Sequence, residues 1–193
     1  MPASSEESAS LDPCGKEPRL LFRFQIELSD VDRGVYETLD FRVAQHPSET
    51  HPYLLTRVLA YALAYEEGLE FSAQGLGDPE APAILKYGAH QSVATWIEIG
   101  NPTSRKLHKA TKSASRVSVF TYKNPDVLRA DIQENQVHRA SEIEIVAVEP
   151  AFLDELSEAL EKNNRWSLLV QSGQVDVTVA GRTHSTQLRQ THA

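Results

Sequence analysis

At 193 residues, 40% hydrophobic and 24% charged, the chain has the length and composition of one globular domain with a sizeable core. A formal net charge of −8 excludes a polybasic nucleic-acid coat or membrane binder. It leaves room for a nuclease, whose phosphate contacts are local and whose own carboxylates add negative charge. The single cysteine, Cys14, has no intrachain disulfide partner, and neither a secretory apolar segment nor a bilayer-length apolar run is present. A cytoplasmic protein that keeps off membranes is expected.

Residues 1–18 are rich in Ser, Glu, Pro and Ala without apolar periodicity, and predict a disordered tail. The domain is expected over 19–182, followed by a polar tail over 183–193. Arg19 to Leu28 alternates, with Phe22, Phe24, Ile26 and Leu28 on one face, and predicts a strand. Tyr36 to Ala44 predicts a second, paired antiparallel with the first across Asp30 to Gly34. His46 to Thr50 leads into a helix with Pro52 in its first turn and an apolar stripe of Leu54, Leu55, Val58, Leu59, Ala62 and Leu63. Gly68 is the expected stop, which puts Glu66 and Glu67 on the last turn.

Leu69 to Phe71 reads as a short extended piece, Gln74 to Pro82 as a turn-rich loop, and Ala83 to Tyr87 as a short strand. Val93 to Ile99 reads as a buried strand with Glu98 inside it. A helix over 103–114 follows, N-capped by Thr103, then a strand over Val117 to Tyr122. Strand, helix, strand at this spacing predicts a parallel crossover. Asn124-Pro125 opens a helix to about Asn135, Glu142 to Val148 is a strand, and Pro150 opens a helix packing Phe152, Leu153, Leu156 and Leu160. Ser167 to Gln171 and Val175 to Ala180 bracket Ser172-Gly173 as a hairpin. His184 to Ala193 is expected to fray. The fold class is α/β, a single compact domain with a mixed β-sheet flanked by helices.

Glu98 is the residue to explain, because an ionised carboxylate leaves water at high cost unless a metal, a cation or donors meet it. The next helix carries Arg105, Lys106, His108, Lys109 and Lys112. Arg105, Lys109, Lys112 and Arg116 follow a spacing of 4, 3 and 4, a stripe distinct from the packing side of Leu107, Ala110 and Ala114. Carboxylates and a lysine are what metal-dependent cleavage of a phosphodiester needs. The acids hold Mg²⁺ or Mn²⁺, the ion lowers the pKa of bound water, and the ammonium offsets charge developing on phosphorus. Glu98 with Glu80, or Asp78 in its place, would be metal ligands, Lys109 the catalytic lysine, and Glu67 or Glu66 a helper from the first helix. The plainer alternative is that Glu98 pairs with Arg105 or another cation and the basic helix is a solvated face. The histidines and Cys14 lack zinc-ligand spacing, and neither a Gly-rich phosphate loop nor a serine nucleophile elbow occurs.

His46-Pro47-Ser48-Glu49-Thr50, Arg57, Glu66-Glu67, Gly75-Leu76, Asp78-Pro79, Trp96-Ile97-Glu98-Ile99-Gly100, Pro102, Lys109-Ala110 and Phe120-Thr121-Tyr122, in this order, resemble the YaeQ family of bacterial proteins. The resemblance implies a compact variation on the PD-(D/E)xK nuclease fold, hence a magnesium-type nuclease core with DNA or RNA as partner. Gly100 stands where the standard motif has its lysine, so that role would pass to Lys109. Ala81 stands where the family pattern has a further acid. The expectation is a monomeric Mg²⁺-dependent nuclease-like hydrolase. The alternative is a non-catalytic interaction or regulatory protein, with a protein partner, on a degenerate nuclease scaffold.

Overall fold

The computed structural model describes residues 20–72 and 78–193. The tail expected over 1–18, and Gln74 to Gly77 of the expected loop, lie outside the described residues. The elements are β1 (Leu20–Asp30), β2 (Val35–Gln45), α1 (His51–Leu63), β3 (Leu69–Phe71), β4 (Ile84–Tyr87), β5 (Val93–Ile99), α2 (Ser104–Ser113) and β6 (Ala114–Thr121). They continue with α3 (Pro125–Glu134), β7 (Ile143–Ala147), α4 (Pro150–Glu158), β8 (Asn163–Gln171), β9 (Gln174–Val179), β10 (Arg182–Gln187) and β11 (Arg189–His192).

The strands divide between two mixed sheets, ordered β10-β9-β8-β1-β2 and β11-β7-β6-β5-β4-β3. In the first, β1 pairs antiparallel with β2, as the alternation of both segments predicts, and parallel with β8. In the second, β5, β6 and β7 run parallel and β4 joins β5 antiparallel. The expected β5–α2–β6 crossover is therefore present.

Two apolar cores set the layers. The larger joins the inner faces of both sheets to α1 and α4 through Phe24, Ile26, Leu54, Ile97, Leu153 and Trp166. The smaller packs α2 and α3 on the other face of the second sheet, through Trp96, Leu107, Val119, Leu128 and Ile145. Strand β5 serves both. Side chains alternate along a strand, so Ile97 and Ile99 enter the larger core while Trp96 enters the smaller.

Helix α1 is capped by Thr50, whose Oγ1 accepts the Tyr53 N–H, and it is buried nearly all round rather than along the one expected stripe. That is the signature of a helix enclosed between layers. Even Arg57 is buried; its Nη2 lies 2.9 Å from Glu49 Oε1 and donates to Glu49 Oε2 and to Ala44 O at 3.0 Å. Burial pushes Glu49 up and Arg57 down, each opposed by the other's charge. The His46-to-Thr50 and Arg57 words thus form an ion pair that fixes the start of α1.

Helix α1 ends at Leu63, before the expected stop at Gly68, so Glu66 and Glu67 follow the helix instead of forming its last turn. The expected frayed C-terminal segment is strand. β10 pairs with β9, and β11 pairs with β7 on the edge of the second sheet. Their backbone hydrogen bonds hold them without apolar alternation. At the β8–β9 hairpin, Ser172 and Gly173 both have positive φ, 55° and 74°, the turn that a two-residue loop of this kind requires.

Candidate functional site

The site lies outside the carboxyl end of β5, where open α/β sheets bind ligands. Gly100 ends the strand with φ of 78°, a conformation that disfavours any side chain. A lysine there would be strained. The cation at this strand end comes from another element.

That cation is Lys106. Thr103 Oγ1 caps α2 by accepting the Lys106 N–H at 3.3 Å, which fixes the first turn beside the strand end. Lys106 lies four residues before buried Ala110 and so borders the packed face of α2. Its Nζ donates to Glu98 Oε2 at 2.9 Å, and Trp96 Nε1 donates to Glu98 Oε1 at 2.7 Å. Glu98 is only 2% exposed. Burial pushes its carboxyl above the ordinary value, against the pull of Lys106 and Trp96. The pair is sequestered and its charge is locally balanced.

Lys109 is placed differently. Its Nζ donates to Glu80 O at 3.1 Å and to Glu80 Oε2 at 3.4 Å, and the Arg105 guanidinium stands 3.9 Å from Glu80 Oε1. Asp78 Oδ1 accepts the Glu80 N–H at 2.9 Å, an Asx turn that shapes the loop. Lys109, the expected catalytic lysine, thus meets Glu80 at the rim and not Glu98.

A cavity of about 560 Å³ opens between these groups, lined by Tyr53, Asp78, Glu80, Asn101, Arg105 and Lys106 among others. Lys106 closes its wall in front of Glu98. Burial, then the nearby Glu98 charge, holds the Tyr53 phenol above its ordinary value, which leaves it a neutral hydrogen-bonding group. Tyr53, Trp96 and Lys106 are the residues that motif reasoning overlooked. The signal for Lys106 was its place one residue before Leu107, on the border of the apolar stripe.

The expected helpers fall elsewhere. Glu67 is exposed in the turn after α1. Glu66 meets Thr95 at 2.9 Å and Lys86 at 3.1 Å, and also pairs with Arg116. Thr95 faces the opposite way from Glu98 on β5, so Glu66 works on the other side of the sheet. Burial raises its pKa, but Thr95, Lys86 and Arg116 outweigh that and hold it low.

Asp78, Glu80 and Glu98 offer hard oxygen donors, the kind Mg²⁺ takes. Their arrangement does not fit a formed centre. Both Glu98 oxygens already accept hydrogen bonds, and among the described residues no three His, Cys, Asp or Glu side chains converge as ligands.

Among solved structures, the chain is similar to the YaeQ protein from Pseudomonas syringae, with a TM-score of 0.82 at 31% identity over 90% of this chain and 96% of that one. It is similar also to the YaeQ protein from Xanthomonas axonopodis pv. citri, with a TM-score of 0.83 at 24% identity over 91% of this chain and 99% of that one. The YaeQ protein of Escherichia coli (strain K12) is 32% identical over 60% of this chain, and the match spans 63% of that relative's length. The YaeQ protein of Salmonella typhi is 26% identical over 87% of this chain and 93% of its own length. Among the described residues no helix is long and apolar enough to cross a membrane. The family profile described as YaeQ protein matches residues 18–188, a span that takes in every described strand and helix except β11, and the chain belongs to the YaeQ family.

Proposed function

We propose that this chain is a nuclease-like phosphodiester hydrolase that acts on nucleic acid in the cytoplasm, on a compact variation of the PD-(D/E)xK fold. The observation that carries the reading is Glu98 itself. A carboxylate 2% exposed, tied to Lys106 at the end of a parallel strand and beside a cavity, is costly for stability alone. Perturbed acids of this kind cluster at working sites. Mg²⁺ or Mn²⁺ is the ion the resemblance implies, but Asp78, Glu80 and Glu98 as placed do not converge on one, so the chemistry rests on the residues themselves.

The residues' own work follows from their places. Lys106 holds positive charge at the cavity wall, where it offsets charge on a phosphoryl oxygen. Glu98 holds Lys106 in position and takes a proton when that contact loosens. Tyr53, neutral, donates a hydrogen bond, and Arg105 and Lys109 at the rim screen flanking phosphates. Lys109, given the catalytic role by sequence, is a rim cation in this reading.

The test is a screen of single- and double-stranded DNA and RNA in the presence of Mn²⁺. Wild type should cleave at least one substrate. Glu98→Gln and Lys106→Ala should each lose that cleavage. Cleavage that survives both substitutions would come from a contaminant and would sink the proposal. A second reading, a non-catalytic nucleic-acid-binding scaffold, draws on the unconverged acids and on Gly100. Its signature is affinity that falls steeply with salt and persists in chelator.

A further inference from the structure

The other end of α1 borders a second cavity, of about 450 Å³, between the two sheets, a size that suits a small organic ligand. Leu63, Ile97, Phe120, Val146, Val170 and Leu188 supply an apolar floor. Above it the inner face of the second sheet turns polar. Thr95 is paired across the ladder with Arg116, and Ser118 with Glu144. Thr95 and Ser118 are 3% and 5% exposed, so this polar strip sits within the face that elsewhere forms the main core.

The charges that line the cavity are unevenly answered. Arg33 donates to Asp30 at 2.6 Å and to Tyr65 O at 3.1 Å. Arg116 is held by Glu66 and Thr95. Asp32 accepts the N–H groups of Ser172 and Gly173 at 2.7 and 2.9 Å. Glu144 accepts only the Ser118 hydroxyl, at 3.2 Å, and no ion pair among the described residues reaches it. The cations of the cavity are therefore engaged, and the charge left over is a carboxylate. The carbonyl end of α1, at Leu63 and Ala64, adds negative potential to the same space.

We infer that this cavity is a binding site for a small organic cation, a primary ammonium on an apolar body. The ammonium sits between Glu144 and Ser118, and the body lies on Ile97, Phe120 and Leu188. The site is separated from the hydrolase cavity by the sheet and by α1, and does not rest on that function.

Hexylammonium is the probe, with hexanol and hexanoate as neutral and anionic partners of equal apolar length. Each is titrated into the ¹⁵N-labelled full chain. Hexylammonium should give saturable shifts confined to residues lining this cavity and should bind at least about tenfold more tightly than either partner. Glu144→Gln, at a half-buried position, should remove that preference and leave the fold intact by circular dichroism. Gln190→Trp, on the exposed edge strand, should block the cavity with Glu144 untouched. Unsaturable shifts, equal binding of hexanol, tighter binding of hexanoate, or ammonium affinity unchanged in either variant would each overturn the assignment.

Discussion

The two faces of β5 handle charge in opposite ways. On the α2 side, Glu98 is nearly sealed, held by one indole N–H and one ammonium, with side-chain exposures of 3% and 17% across the Lys106 pair. On the inner side, Glu66 approaches Thr95 with Lys86 and Arg116 around it, and its pair with Lys86 is 28% and 29% exposed. One acid is raised by burial and the other lowered by its partners. The difference is solvent access. Water screens and replaces the contacts of Glu66, whereas Glu98 depends on its two donors alone. A charge kept dry is fixed by its two donors; a charge kept partly wet shares its partners with solvent.

The sharpest way to break this comparison is to remove a lysine from each face. Lys106→Met leaves a buried carboxylate without its cation and should cost about 3 kcal/mol. Adding Glu98→Gln should recover much of that loss. Lys86→Met should cost under about 1 kcal/mol, because its pair is solvated. Urea denaturation measures all three, and equal losses on the two faces would dissolve the distinction.

A smaller effect separates the donors of Glu98. Trp96→Phe deletes the N–H together with part of the packed indole, and should cost about 2 kcal/mol from the lost hydrogen bond and the cavity combined. It should also move the Glu98 titration further up, since that hydrogen bond lowers it. Carboxyl ¹³C shifts report this directly, and an unmoved titration would deny the indole its part.

The smallest effect is pH dependence. Folded Glu98 holds its proton more tightly than the unfolded chain does. Its contribution to stability is full below the reference value of 4.5 and is lost as pH rises through the higher folded value. Glu98→Gln should flatten that decline in unfolding curves taken across the range. It should not abolish it, because Glu49 is raised by burial in the same direction. An unchanged slope would place the Glu98 proton outside the folding equilibrium.

Much of the architecture was legible where burial leaves a periodic trace. The alternation of Phe22, Phe24, Ile26 and Leu28 marked β1, and the caps Thr103 and Asn124 marked two helix starts. β10 and β11 left no such trace. Arg182 to Gln187 and Arg189 to His192 are held by backbone ladders at sheet edges, and polar side chains suit an edge as well as they suit a loop. The end of α1 was read too late for a related reason, since Ala64 and Tyr65 would fit a helix equally well.

In the site, the sequence by itself determined that Glu98 is buried and that a basic helix follows it, because strand alternation and helix periodicity are local properties of the chain. Only the tertiary structure decided that Lys106 meets Glu98 while Lys109 turns to Glu80, and that Glu66 lies across the sheet. Those choices depend on how α2 is rotated against β5 and where α1 stops. Packing between elements distant in sequence sets both, and local spacing carries no record of it.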